Sequence, residues 1–217
     1  MSRAVKSRIA SVGASAALRD ACRVALLQID EDRRSSLGVT SAIRGEGRST
    51  IASALASTLV SDFNRPTVLL DLDFADPTLS SRHGAVDAPG VGDVLAGDCR
   101  LEDVLQELEP GLSLLAAGGA SDRSPQYLAM RFEGSGLMER FAAMGRSVVA
   151  DLPPALESVA GPTLARAFSQ VIMVVRARVT PVRLVRAAVA TLPSAPEVLL
   201  NGTPEPLPSW LARLVGD

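Results

Sequence analysis

One run of residues carries the first chemistry that can be read from this chain: Val39-Thr40-Ser41-Ala42-Ile43-Arg44-Gly45-Glu46-Gly47-Arg48-Ser49-Thr50. It follows a short apolar stretch and opens a stretch with apolar residues at helical spacing, which is the setting a phosphate-binding loop requires. Gly45 and Gly47 let successive backbone N–H groups turn inward, and the following helix N-terminus adds the positive end of its dipole. Ser49 stands where a hydroxyl would ligand Mg²⁺, next to Thr50. Arg48 occupies the place of the lysine that normally reaches the β- and γ-phosphates.

That replacement is not neutral. A lysine ammonium is a compact charge on a flexible stem, whereas a guanidinium is planar, wider and forked. Two explanations stand side by side. Lys6 is the chain's only lysine against 21 arginines, so Arg48 can be compositional drift that preserves charge. Alternatively, the site has lost turnover and persists as a fold.

Two acidic positions accompany the loop. The runs Thr67–Leu70 and Ser147–Ala150 each end in acid, Asp71-Leu72-Asp73 and Asp151-Leu152-Pro153-Pro154. Ligand sites of parallel sheets lie at the carboxyl ends of strands. Carboxylates there, beside a phosphate loop, can orient Mg²⁺ and its water. Each aspartate taken singly reads as a helix cap or turn residue. Taken with the loop, Asp71, Asp73 and Asp151 read as an acidic set around Ser49. Asn201 can hydrogen-bond an adenine edge, or simply form the turn that Asn-Gly pairs favour. His83 has no Ser or Cys partner in view, and a catalytic role is not expected of it.

The elements that position these residues follow from periodicity. Apolar runs at Leu37–Thr40, Thr67–Leu72, Leu112–Ala116, Ser147–Ala150, Val171–Val175 and Val198–Leu200 read as buried strands. Between them lie helical patterns such as Ile51, Leu55, Leu59 and Phe63, or Leu184, Val185, Ala188 and Leu192. Alternation of strand and helix predicts a doubly wound, mainly parallel α/β sheet with helices on both faces. A helix is expected over Ala16 to Ile29 before the first strand, and a last short one around Trp210.

With 217 residues, one domain is expected, from 16 to 217, after a frayed arm over 1–15. Arg3, Lys6 and Arg8 in that arm give it a second reading, contact with anionic lipid. Charged residues make up 21% of the chain and the net charge is −2, so composition points to no nucleic-acid footprint. No apolar run approaches the roughly 20 residues of a spanning helix, nor is there a secretory signal, so a cytoplasmic location is expected. Cys22 and Cys99 are too few for a disulfide framework or a metal site.

The ordered set of motifs resembles a family. Thr40-Ser41-Ala42 to Thr50, Leu69-Leu70-Asp71-Leu72-Asp73, Gly90-Val91-Gly92-Asp93-Val94-Leu95-Ala96-Gly97, Leu114-Leu115-Ala116-Ala117-Gly118 to Ser124-Pro125, Asp151-Leu152-Pro153-Pro154 and Asn201 span about residues 17 to 202. Together they are similar to the cytoplasmic domain of the bacterial tyrosine kinases of capsule and exopolysaccharide assembly, the CpsD/CapB/Wzc type, within the MinD/ParA P-loop NTPases. The resemblance implies ATP or ADP held by Gly45, Glu46, Gly47, Arg48, Ser49 and Thr50, with Asn201 at the base. It implies Mg²⁺ at Ser49, Asp71 and Asp151, and catalytic positions at Arg48, Asp71, Asp73 and Asp151. It further implies self-association, or assembly with a competent paralogue, and a membrane polysaccharide co-polymerase or adaptor as partner at the inner face of the membrane.

Departures from the family accompany the match. Arg48 replaces the loop lysine, and the stretch from Leu211 to Asp217 holds none of the tyrosines of the family's autophosphorylated tail. The first helix keeps only Arg23 of the family's acidic and two basic assembly residues, with Ala17 and Asp20 at the other places. Ile43 stands where some relatives insert a lysine into a partner subunit. A regulatory or scaffolding ATPase-like subunit with impaired phosphoryl transfer is therefore expected. An active ATPase or kinase that uses Arg48, and an interaction module with an empty site, are the alternatives.

Overall fold

The computed structural model describes residues 16–119 and 123–202. The expected helix around Trp210 and the arm over 1–15 lie outside the described residues. Helix α1 (Ala16–Gln28) and a 3-10 turn (Glu31–Ser35) lead into strand β1 (Ser36–Ser41) and the long helix α2 (Arg48–Phe63). Strand β2 (Thr67–Asp71) is followed by three short helices, α3 (Thr78–Arg82), α4 (Val91–Ala96) and α5 (Leu101–Val104). A hairpin of β3 (Gln106–Glu109) and β4 (Leu112–Leu115) precedes α6 (Pro125–Glu133), α7 (Leu137–Ala143) and β5 (Ser147–Asp151). The chain then runs through α8 (Ala160–Ala165), β6 (Gln170–Arg176), α9 (Val182–Thr191) and β7 (Glu197–Asn201).

The seven strands form one sheet in the order β3-β4-β2-β5-β1-β6-β7. Every neighbouring pair is parallel except β3 with β4. The doubly wound, mainly parallel α/β sheet read from the sequence is therefore present. Each of its six expected strands is found within a residue or two. Strand β3 was not anticipated, because Gln106-Glu107-Leu108-Glu109 is a largely exposed edge segment with no apolar run to mark it.

Alternation within the central strands feeds two cores. Leu37, Val39, Leu69, Val149, Ile172 and Val174 pack under α1 and α2 with Cys22, Leu26, Ile51, Leu55 and Leu59. On the other face Val68, Leu70, Val148, Ala150 and Val171 meet Leu128, Phe132, Phe141 and Leu164 of α6, α7 and α8. Met173 and Val175 meet Ala188 of α9 in a smaller third cluster. Each fully buried large apolar side chain contributes about 1.5–3 kcal/mol, so these clusters hold the ends of β1, β2 and β5 side by side.

The Gly90–Gly97 segment shows why it carries glycines. Gly90 N donates to Asp93 Oδ2 at 2.8 Å, and Val91 N and Gly92 N donate to the carbonyls of Ala116 and Ala117 at 2.8 and 2.9 Å. Helix α4 thereby hangs from the end of β4, and a Cβ on Gly90 would overlap the Ala116 carbonyl, a backbone group that cannot swing aside. A Gly90→Ala variant should lose about 1–3 kcal/mol of stability, as overpacked sites do, with urea denaturation as the check.

Candidate nucleotide site

The loop between β1 and α2 takes the turn its glycines allow. Gly45 has φ +80° and Gly47 φ +93°, both in the left-handed region where a side chain is strained. A Cβ on Gly47 would also strike the Asn201 side chain. Helix α2 begins at Arg48 with no side chain capping its N-terminus. Its first N–H groups, which no helix can satisfy internally, are thus left for an anion.

Glu46 is only 2% exposed and its carboxylate turns into the protein. Oε2 accepts from Ile43 N at 2.9 Å, and Oε1 accepts from Arg176 N at 3.0 Å and from the Thr180 hydroxyl. Asn201 Nδ2 donates to the Glu46 carbonyl at 2.8 Å. The loop is therefore tied to the ends of β6 and β7. The Glu46 side chain acts as a strut, and the Asn201 amide reaches the loop itself.

Arg48 decides the character of the site. Its Nε donates to Asp151 Oδ1 and its Nη2 to Asp73 Oδ2, both at 2.8 Å. The arginine is 7% exposed and both carboxylates are fully buried. Arg48 Nη1 and Asp151 Oδ2 are left buried without a hydrogen-bond partner. Burial drives the Asp151 pKa up, aided by the nearby Asp73 charge and opposed by Arg48 and the Ser49 hydroxyl.

Asp71 lies level with Asp151 on the adjacent strand. Its Oδ2 accepts from both the backbone N–H and the hydroxyl of Ser80 at 2.8 Å. Burial is the main cause that lifts its pKa from 3.8 to about 7, with the Asp151 charge adding to it and the Ser80 bonds opposing.

A second arginine lies over the first. Arg44 Nη1 reaches Asp76 Oδ2 at 2.6 Å and Asp73 Oδ2 at 3.8 Å, and its Nε reaches Glu157 Oε2 at 3.4 Å. Arg82 Nη1 donates to the Thr50 hydroxyl at 3.1 Å. The structure thus brings Arg48, Ser49, Asp73 and Asp151 together and sets Asp71 beside them, turned toward Ser80. Sequence reasoning gives Arg44 only bulk at the loop and not these ion pairs, and it misses Ser80, Asp76, Glu157 and Thr180.

The fit of a Mg–nucleotide complex divides in two. The turned glycines and the uncapped helix suit phosphate oxygens. A divalent cation needs carboxylate oxygens that are free to turn to it, and Arg48 holds one oxygen each of Asp73 and Asp151, leaving Asp151 Oδ2 without a partner. Among the described residues, no group of three or more His, Cys, Asp or Glu is arranged to hold a metal. The phosphate cradle fits, and Asp151 Oδ2 is the carboxylate oxygen left for a cation while Arg48 keeps this position.

No protein-family model matches the chain. It is 32% identical over 156 residues to the protein named "Putative tyrosine-protein kinase EpsB" of Ralstonia nicotianae, covering 71% of this chain. It spans only about a fifth of that relative's length, 20%. The kinase domain of VpsO superposes with a TM-score of 0.76 at 28% identity, over 87% of this chain and 95% of that one. The kinase domain of the Escherichia coli tyrosine kinase ETK superposes with a TM-score of 0.75 at 21% identity, over 86% of this chain and 76% of that one.

Two outcomes test the electrostatics. Arg48→Ala leaves two buried carboxylates without their cation and should destabilise the fold by about 3–5 kcal/mol, measured by chemical denaturation near neutral pH. Because Asp71 titrates near 7 when folded and near 4 when unfolded, the folded chain retains a proton that the unfolded chain releases between those values. Stability should therefore fall as pH rises through that window and level off above it. Asp71→Asn should flatten this slope in denaturation midpoints taken across a pH series.

Proposed function

We propose, from this chain's membership of the bacterial tyrosine-kinase domains of the MinD/ParA-like P-loop fold, that it is a regulatory or scaffolding subunit of exopolysaccharide assembly and export. Its phosphate loop holds ATP or ADP but transfers phosphate poorly. The observation that carries this reading is the clamp of Arg48 between Asp73 and Asp151.

Phosphoryl transfer relies almost wholly on positioning and on neutralising charge around the transferred group. In an active loop a mobile cation reaches the phosphates, and Mg²⁺, when bound, draws charge from their oxygens. Here the side chain at the mobile cation's place is locked against the carboxylates that would orient the metal. Without a phosphate and a cation in place, releasing it would leave a guanidinium and two carboxylates buried without partners, which is strongly unfavourable. Gly45, Glu46, Gly47, Ser49 and Thr50 supply the backbone cradle for the phosphates. Asn201 is placed where it holds that cradle in shape.

A subunit of this kind acts through its surfaces. Self-association or assembly with a competent paralogue, and a membrane polysaccharide co-polymerase or adaptor at the inner face, are the partners this reading assigns. The single tyrosine of the chain, Tyr127, is exposed on α6 and offers an internal reporter of transfer.

The test is incubation with ATP and Mg²⁺, read by mass spectrometry and phosphate release, beside calorimetric titration of ATP and ADP. The wild type should bind nucleotide, form no phosphotyrosine at Tyr127 and release phosphate no faster than buffer. Arg48→Lys should strengthen Mg²⁺-dependent binding by about tenfold, roughly 1.4 kcal/mol. Phosphotyrosine at Tyr127, or phosphate release that disappears in Arg48→Ala, would overturn the reading.

A further inference from the structure

Between Glu157 and Glu197 the chain carries five arginines and no acidic residue. Four of them, Arg176, Arg178, Arg183 and Arg186, gather on the turn from β6 into α9 and on the outward side of α9. All four are exposed, and among the described residues none is in an ion pair.

Apolar side chains stand among them. Val179 is 57% and Val182 66% exposed. Helix α9 turns Leu184, Val185, Ala188 and Val189 inward to the third apolar cluster. Its outward side therefore presents Val182, Arg183, Arg186, Ala187 and Ala190. The turn is held firmly: Val179 N and Thr180 N donate to the Arg176 carbonyl at 3.2 and 3.0 Å. The Glu46 carboxylate also takes Arg176 N and the Thr180 hydroxyl from beneath.

The acidic groups nearest in sequence do not neutralise this surface. Glu157 is engaged by Arg44, and Glu197 sits at the far end of β7, level with Ile172. We propose that this arginine and valine surface docks on an anionic lipid membrane. The guanidinium groups pair with headgroup phosphates, and Val179 and Val182 enter the boundary between headgroups and acyl chains.

Charge complementarity with protruding aliphatic side chains favours lipid over nucleic acid. Single strands are bound on exposed aromatic platforms, and the only aromatic residue between Glu157 and Glu197, Phe168, is buried. The inference needs no nucleotide in the phosphate loop and stands or falls apart from the transfer reading.

The test is co-sedimentation of the full chain with vesicles of phosphatidylcholine alone and of phosphatidylcholine mixed with phosphatidylglycerol. Binding should be about tenfold or more stronger to the anionic vesicles and should vanish in high salt. The triple variant Arg178→Glu, Arg183→Glu, Arg186→Glu, shown to be folded by circular dichroism, should lose it, and Val182→Asp should weaken it. The variant Arg3→Gln, Lys6→Gln, Arg8→Gln should retain it. Equal binding to both vesicles, no binding to either, wild-type binding by the triple variant, or loss confined to the arm variant would each overturn the proposal. A preference for duplex nucleic acid without vesicle binding would overturn it as well.

Discussion

A parallel sheet that ends three aspartates at the carboxyl ends of adjacent strands creates one dominant problem, the burial of like charge. Asp71 and Asp151 lie level on β2 and β5, and Asp73 follows directly. All three are fully buried. Isolated carboxylates in such a place would have to take up protons or find a cation. The protein meets this in three ways: Arg48 bridges Asp73 and Asp151, Ser80 gives two hydrogen bonds to Asp71, and the Asp71 pKa rises to about 7. The cation is covalently part of the chain, so part of the charge at the sheet end is offset without any ligand.

The phosphate loop, by contrast, is kept in shape by contacts that do not involve Arg48. Glu46 joins its backbone to the turn after β6, and Asn201 joins it to the end of β7. Gly47 has to be glycine both for its φ of +93° and for the approach of the Asn201 amide. Shape and charge are thus governed separately. A substitution at the lysine position can alter the chemistry while leaving the cradle intact, which is how a fold of this type can persist with its transfer step impaired.

The sheet was legible because strands buried on both faces read as continuous Val, Leu and Ile runs. The loop was legible because two glycines and a hydroxyl pair follow such a run. What sequence did not reveal falls into two kinds. Strand β3 and helices α3 and α5 are short and carry no apolar run or periodic pattern long enough to mark them. The direction of individual polar side chains is the other kind. Glu46 reads as a nucleotide contact, yet its carboxylate points inward to Thr180. Asp71 reads as a metal ligand, and Ser80, nine residues on, donates two hydrogen bonds to its Oδ2 while Asp73 N donates to its Oδ1. Nothing in local pattern encodes those pairings.

Compositional drift and functional loss at Arg48 predict different contacts for its guanidinium. Drift in a chain with one lysine would place a guanidinium wherever an ammonium had been, making the same outward contact with phosphate. A lysine ammonium would meet two carboxylates as a point charge, through N–H donors on one nitrogen, whereas Nε and Nη2 of one arginine reach Asp151 and Asp73 from two separate atoms, each at 2.8 Å. The contact that Arg48 makes therefore uses the spread of the guanidinium fork. It points inward, and it ties the cation to the carboxylates it would otherwise have to share with a metal and a phosphate. In the proposed reading, Arg48 keeps a positive charge in the site and commits it to Asp73 and Asp151.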